Sequence, residues 1–198
     1  MLEDLNQPKK TAKPFFFVFA LDDSGSMAGQ AWNDLIGGVS AFIRNRIQFC
    51  AEKGTKALDL VTIINYSTSA QVMCRGVSIH SSPETKTRFR NGGTDFQVAL
   101  KMSHTELQRI DQKQYSPVLI FMSDGGCWNG DQEMKAIISS MPQVAVRTIG
   151  FGRECDQNRM NQLALLGKGE FFFGADGVTL QSEFESMSDL LSSNQPCY

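Results

Sequence analysis

The chain of 198 residues lacks a long apolar run: the longest, Phe15 to Leu21, is followed at once by Asp22 and Asp23. A bilayer-crossing helix needs about 20 consecutive apolar residues, so no membrane span is predicted. Charge of either sign is also scarce. Lys and Arg number 19 against 21 Asp and Glu, for a net charge of -2, and without a basic excess or stripe no nucleic-acid partner is expected. There are only two histidines. The five cysteines, at 50, 74, 127, 155 and 197, are odd in number and form no Cys-x-x-Cys pair. Neither a disulfide framework nor a zinc site is predicted, and an intracellular (cytoplasmic), reducing location is the default expectation. Residues 1–13 place Glu3 and Asp4 ahead of Lys9, Lys10 and Lys13, the wrong charge order for a secretory signal. They are read as a loose leader, residues 14–191 as one domain and 192–198 as a tail.

What is present is an alternation of strands and helices. Phe15 to Leu21 and Val118 to Met122 are continuously apolar, as expected of strands buried on both faces of a parallel sheet. Trp32, Leu35, Ile36, Val39, Phe42, Ile43, Ile47 and Cys50 recur at spacings of three and four and mark a long helix; Phe96, Ala99, Leu100, Ser103, Leu107 and Ile110 mark a second. Leu58 to Tyr66 reads as a strand, and the link Ser67 to Ala70 into Gln71–Cys74 is too short for a parallel crossover. That second strand is therefore predicted to be antiparallel and at an edge. A helix near 132–141, a strand 144–149, a helix 159–166 stopped by Gly167, a strand 170–173 and a helix 180–191 complete the pattern. The fold class predicted is α/β: a doubly wound, mostly parallel six-stranded sheet with one antiparallel edge strand and helices on both faces. In such folds ligands bind beyond the carboxyl ends of the strands, where the winding reverses.

Three loops at that rim offer hard oxygen donors: Asp22-Asp23-Ser24-Gly25-Ser26 after the first strand, Gly92-Gly93-Thr94-Asp95 before the second helix, and Ser123-Asp124-Gly125-Gly126 after the fourth strand. Oxygen ligands with no Cys or His among them suit Mg²⁺, with Mn²⁺ as a substitute. Asp22, Ser24, Ser26, Thr94 and Asp124, in this order, resemble the Asp-x-Ser-x-Ser, Thr and Asp pattern of the von Willebrand factor A-type (vWA) domain with its metal-ion-dependent adhesion site (MIDAS). Ile149 to Gly152 and Gly167 to Phe172 extend the resemblance, which runs from about residue 15 to 191. The resemblance implies that Ser24 and Ser26 bind the metal directly, Thr94 directly or through water, and Asp22 and Asp124 largely through bridging waters. A cation left short of anionic ligands would take a Glu or Asp carboxylate from a partner protein. In some members of the family, tightening around the metal is coupled to movement of the last helix, here 180–191.

Taken singly, these residues have blander readings. Asp22 is a strand-end cap, Asp124-Gly125 a turn, and Thr94 and Asp95 helix caps; only their conjunction points to a metal, with Asp95 remaining a cap and Asp23 a non-ligand. His80 is read as a loop residue and His104 as a helix-surface residue, Met27 as packing, and Arg88 and Arg90 as a solvated loop. The function expected is a metal-dependent protein-interaction module, not an enzyme. One alternative is an accessory vWA subunit or domain of a larger machine, such as those beside ring-shaped ATPases. Another is a Mg²⁺-dependent hydrolase on the same fold, against which the sequence offers Ser24 where a dehalogenase-type phosphatase needs a second Asp, and no phosphate loop.

Overall fold

The computed structural model describes residues 13–194. The earlier part of the leader and the end of the tail, Cys197 included, lie outside the described residues. Six strands form a single sheet: β1 (Phe15–Asp22), β2 (Leu60–Tyr66), β3 (Ala70–Ser78), β4 (Ser116–Ser123), β5 (Ala145–Phe151) and β6 (Glu170–Gly174). Five helices accompany them: α1 (Gln30–Glu52), α2 (Phe96–Leu107), α3 (Asp131–Ser140), α4 (Gln157–Leu166) and α5 (Gly177–Asn194). The strand order is β3-β2-β1-β4-β5-β6. Every neighbouring pair is parallel except β2 and β3, so the six-stranded mixed sheet with its antiparallel edge is as the sequence predicts.

β1 carries the whole arrangement because both of its faces are buried. Phe15, Phe17, Phe19 and Leu21 face one core with Val39 and Phe42 of α1 and Leu180 and Phe184 of α5. Phe16, Val18 and Ala20 face the other, with residues of α2, α3 and α4. Period-two alternation thus sorts a uniformly apolar strand between two helical layers. On the first face the aromatic rings meet edge to face: Phe42 lies 5.0 Å from Phe17 and 6.3 Å from Phe184, centroid to centroid, an arrangement that suits the ring quadrupoles. α1 and α5 can approach this closely because position 38 is glycine. A Cβ there would lie 2.6 Å from Cδ2 of Phe184.

The base of the sheet is held by a buried ion pair. Nε of Arg46 donates to Asp59 at 2.8 Å, and the other carboxylate oxygen of Asp59 accepts the N–H of Phe15 at 2.7 Å. Two features differ from the sequence reading. β3 runs on to Ser78 instead of stopping near Cys74, because irregular pairing between Val61 and Ile64 and a positive φ of 56° at Gly76 let the edge bend without ending. And Cys50, near the end of α1, is disulfide-bonded, whereas Cys74, Cys127 and Cys155 are free thiols. The odd count and the lack of a Cys-x-x-Cys pair, which predict no disulfide framework, gave no sign of this bond. Among the described residues no helix is long and apolar enough to cross a membrane.

Candidate functional site

The chain lays β1, β2 and β3 in one direction and then returns to place β4 on the other side of β1, so the winding reverses between the carboxyl ends of β1 and β4. That is where a crevice forms in an open α/β sheet, and Asp22 and Ser123 end those two strands. The carboxylate of Asp22 is fully buried. One of its oxygens accepts the N–H of Ser24 at 2.9 Å, and the other accepts the hydroxyl of Ser123 at 2.6 Å. Burial pushes its pKa up from 3.8 to about 6, the nearby charge of Asp124 adds to the rise, and the hydrogen bonds from Ser123 and Ser24 work against it.

The loop that follows turns back on itself through a short 3-10 turn, Gly25–Met27. The hydroxyls of Ser24 and Ser26 come to 3.1 Å from one another. Ser24 is buried and Ser26 exposed, so the pair leads from the buried Asp22 toward the surface. Met27 packs into the core, as expected. The Gly25 N–H donates to the Gly92 carbonyl at 2.9 Å, and a Cβ at position 25 would meet Oδ1 of Asn91 at 3.0 Å. This main-chain bond fixes the segment carrying Thr94 against the Ser24–Ser26 loop. Asp95 caps α2, accepting from the N–H groups of Gln97 and Val98. Asp124 is half-buried beyond the end of β4; one of its carboxylate oxygens faces the N–H of Gly126 at 3.4 Å, and its carbonyl accepts the N–H of Asp156 at 3.1 Å.

Asp22, Ser24 and Ser26 are thus in one hydrogen-bonded cluster, Asp124 is near enough to perturb Asp22, and Thr94 stands two residues from the carbonyl that anchors the first loop. Ser123, unassigned by sequence, joins them as a donor to Asp22; its place beside Asp124 was the only signal. The two histidines take no part: His80 meets the Ala57 carbonyl and His104 the hydroxyl of Ser140.

Arg90 corrects the sequence reading. Its side chain is only 19% exposed, and it grips the fully buried Asp23 with two hydrogen bonds, Nε at 2.5 Å and Nη2 at 3.0 Å. The same guanidinium donates to the carbonyls of Asn65 and Ser69. Arg90 is therefore a clasp joining the ends of β1 and β2 to the segment that leads to Thr94. It also neutralises Asp23, whereas among the described residues no Lys or Arg forms an ion pair with Asp22 or Asp124.

The sequence profile of the von Willebrand factor type A domain matches residues 17–126, more than half of the chain. The chain belongs to the vWA domain family. No curated protein sequence matches it, but solved structures do. BatB from Bacteroides thetaiotaomicron superposes with a TM-score of 0.69 at 17% identity, covering 90% of this chain and 98% of that one. A von Willebrand factor type A protein from Catenulispora acidiphila gives 0.70 at 19% identity over 90% of this chain and 42% of that one. Proximal thread matrix protein 1 from the mussel byssus, solved with a zinc-occupied MIDAS motif, gives 0.71 at 14% identity over 91% of this chain and 48% of that one. At these identities the likeness is one of fold. This vWA domain presents its oxygen-lined loops at the same topological switch point that the sequence pattern predicts.

The donor set suits a hard divalent cation. It combines aliphatic hydroxyls with two carboxylates that no basic side chain among the described residues pairs with. Among the described residues no group of three or more His, Cys, Asp or Glu side chains gathers to hold a metal; hydroxyl oxygens would have to supply much of the coordination.

Proposed function

We propose that this vWA domain binds a divalent cation, Mg²⁺ or Mn²⁺, at Asp22, Ser24, Ser26, Thr94 and Asp124, and through it captures a Glu or Asp carboxylate of a partner protein. The family is one of protein-interaction modules. The observation that carries the finer reading is the convergence of the Ser24 and Ser26 hydroxyls, 3.1 Å apart, beside a buried Asp22 carboxylate that has hydrogen bonds but, among the described residues, no cationic partner. Removing a carboxylate from water without a counter-charge is unfavourable, and a bound cation would relieve that cost while leaving open positions for a foreign carboxylate.

The residues divide the work by placement. Asp22 and Asp124 supply negative charge from beneath and beside the loop, Ser24 and Ser26 supply neutral oxygens, and Thr94 stands on the segment that Gly25 and Arg90 hold in place. Ser123 keeps one oxygen of Asp22 occupied and so sets the direction of the other. Binding without turnover is the reading that fits this set: Ser24 stands where an Asp-x-Asp phosphatase needs its acid and base. A place as an accessory unit in a larger assembly would use the same carboxylate capture.

The test is thermal melting of the protein in EDTA and in millimolar Mg²⁺, paired with Ser24→Ala and Asp22→Ala. A cation bound only to the folded state raises the midpoint as its concentration exceeds the dissociation constant, by about 2.7 kcal/mol of stability at a hundredfold excess. Both substitutions should abolish the rise. A midpoint unmoved by Mg²⁺ or Mn²⁺ would remove the metal from the mechanism.

A further inference from the structure

The loop between Asp124 and α3 carries a side chain that neither fold nor metal requires. Trp128 is 72% exposed. Indole rings carry a large apolar area and are costly to leave in water, and Trp is enriched among the residues that carry interface energy. The loop is not slack at this point. Arg159, 1% exposed, donates from Nε to the carbonyl of Cys127 at 2.9 Å and from Nη2 to the carbonyl of Asn129 at 2.5 Å. One buried guanidinium therefore fixes the backbone on both sides of Trp128. It is itself held by Asp131 at 2.7 Å and by the face of Phe96, 5.6 Å from the ring centroid.

The neighbours of Trp128 tie it to the metal loops. The side chain of Asn129 donates to Asp95 at 2.9 Å and accepts the N–H of Gln97 at 3.1 Å, so the loop is pinned to the cap of α2 next to Thr94. Asp124 is four residues away. Even a fully extended chain spans at most about 3.6 Å per residue, so Trp128 lies within roughly 14 Å of Asp124 along the backbone. A standard interface covers about 800 Å² on each partner, a patch roughly 30 Å across. A patch of that size centred on the Asp22 and Asp124 rim extends far enough to take in Trp128. Elsewhere on the three loops the exposed residues are small or polar, among them Gly25, Ser26, Asn91, Gly92, Gly93, Gly126 and Asn129. Trp128 is the large apolar side chain they expose.

We infer that Trp128 is the apolar anchor of the binding face, and that the partner is a protein segment bearing an Asp or Glu with a flat apolar side chain, proline, leucine or an aromatic, a few residues away. This rests on the carboxylate-capture reading and adds the second half of the recognition. Arg159 is a positioning residue for that anchor. Because the backbone on both sides of Trp128 is held, little main-chain freedom is lost when the ring is covered.

The test uses a phage-displayed library of random 12-residue peptides selected on the immobilised protein in Mg²⁺ and eluted with EDTA. Eluted peptides should carry an acidic residue with an apolar residue at a preferred spacing. Their affinity should fall about thirtyfold or more in Trp128→Ala, the loss expected of an interface hot spot, and much less in Trp128→Phe. Both variants should melt with the wild type, since the ring is exposed. Peptides released by EDTA that bind Trp128→Ala as well as wild type overturn the anchor and leave the metal reading standing. Selected peptides that survive EDTA and lack an acidic residue overturn the metal reading and, with it, the pairing of Trp128 with a carboxylate.

Discussion

Arg90→Met is the most demanding test of how this rim is held. Among the described residues, the substitution leaves the fully buried Asp23 carboxylate with only the amide of Asn65, 3.3 Å from one oxygen, as a remaining side-chain donor. Removing one partner of a buried ion pair costs about 3–5 kcal/mol. Arg90 is 19% exposed and water can reach that side, which places the expected loss near the lower end, about 3 kcal/mol. For a chain of this size that lowers the melting midpoint by roughly 6–12 °C. The guanidinium also serves the carbonyls of Asn65 and Ser69, at 3.1 and 3.0 Å, so part of the loss has nothing to do with Asp23. The double variant Asp23→Asn/Arg90→Met separates the two contributions. It removes the stranded charge but not the two unmet carbonyls, and should recover about 2 kcal/mol relative to Arg90→Met alone. Urea denaturation of the wild type, both single variants and the double variant measures the coupling. A coupling energy below about 0.5 kcal/mol would mean that the pair is a solvated surface contact, and the clasp would then have no energetic basis.

Other outcomes follow from the same geometry. Ser123→Ala removes the 2.6 Å hydrogen bond to Asp22 and the acceptor of the Gly125 N–H; it should cost about 1–3 kcal/mol in urea denaturation and weaken Mg²⁺ binding near pH 6 by raising the Asp22 pKa further. In the metal-free protein the pKa of Asp22, raised from 3.8 to about 6, means that the folded state holds a proton the unfolded state has lost between those values. Asp22 therefore favours folding below pH 4, and about 3 kcal/mol of that preference is lost as the pH rises through 6. The Mg²⁺-induced rise in melting midpoint should accordingly grow from pH 5 to pH 7, and a rise that shrinks over that interval would count against Asp22 as a site carboxylate. Gly38→Ala sets a methyl group 2.6 Å from the Phe184 ring and should destabilise by about 1–3 kcal/mol, with no change in Mg²⁺ affinity by calorimetry.

The strands and the core were legible because burial on both faces leaves a signature that single residues carry: Phe15–Leu21 and Val118–Met122 cannot be solvated. The antiparallel edge followed from the four-residue link after Tyr66, a matter of reach. The Asp22, Ser24, Ser26, Thr94 and Asp124 pattern could be picked out because its members lie in loops flanked by readable strands and helices and their order matches the vWA motif. What stayed hidden depends on distant contacts. Arg90 looked like a loop cation until Asp23, 67 residues earlier in the chain, was found beneath it. Arg159 drew no reading of its own beyond opening the helix 159–166, yet it is 1% exposed because the Cys127 and Asn129 carbonyls and Asp131 surround its guanidinium. The bond at Cys50 likewise has no signal in its own neighbourhood.

The three rim loops are not fastened in the same way, and this bears on how such a surface could diversify. The first and second are joined main chain to main chain, Gly25 N–H to Gly92 carbonyl at 2.9 Å, a tie that most side-chain replacements leave untouched. The third is joined to them above the sheet by side chains, Ser123 to Asp22 and Asn129 to Asp95 and Gln97. Mutation can therefore re-aim the segment bearing Asp124 and Trp128 while the Ser24 and Ser26 hydroxyls stay in place, which makes the third loop the adjustable jaw of an otherwise fixed vice.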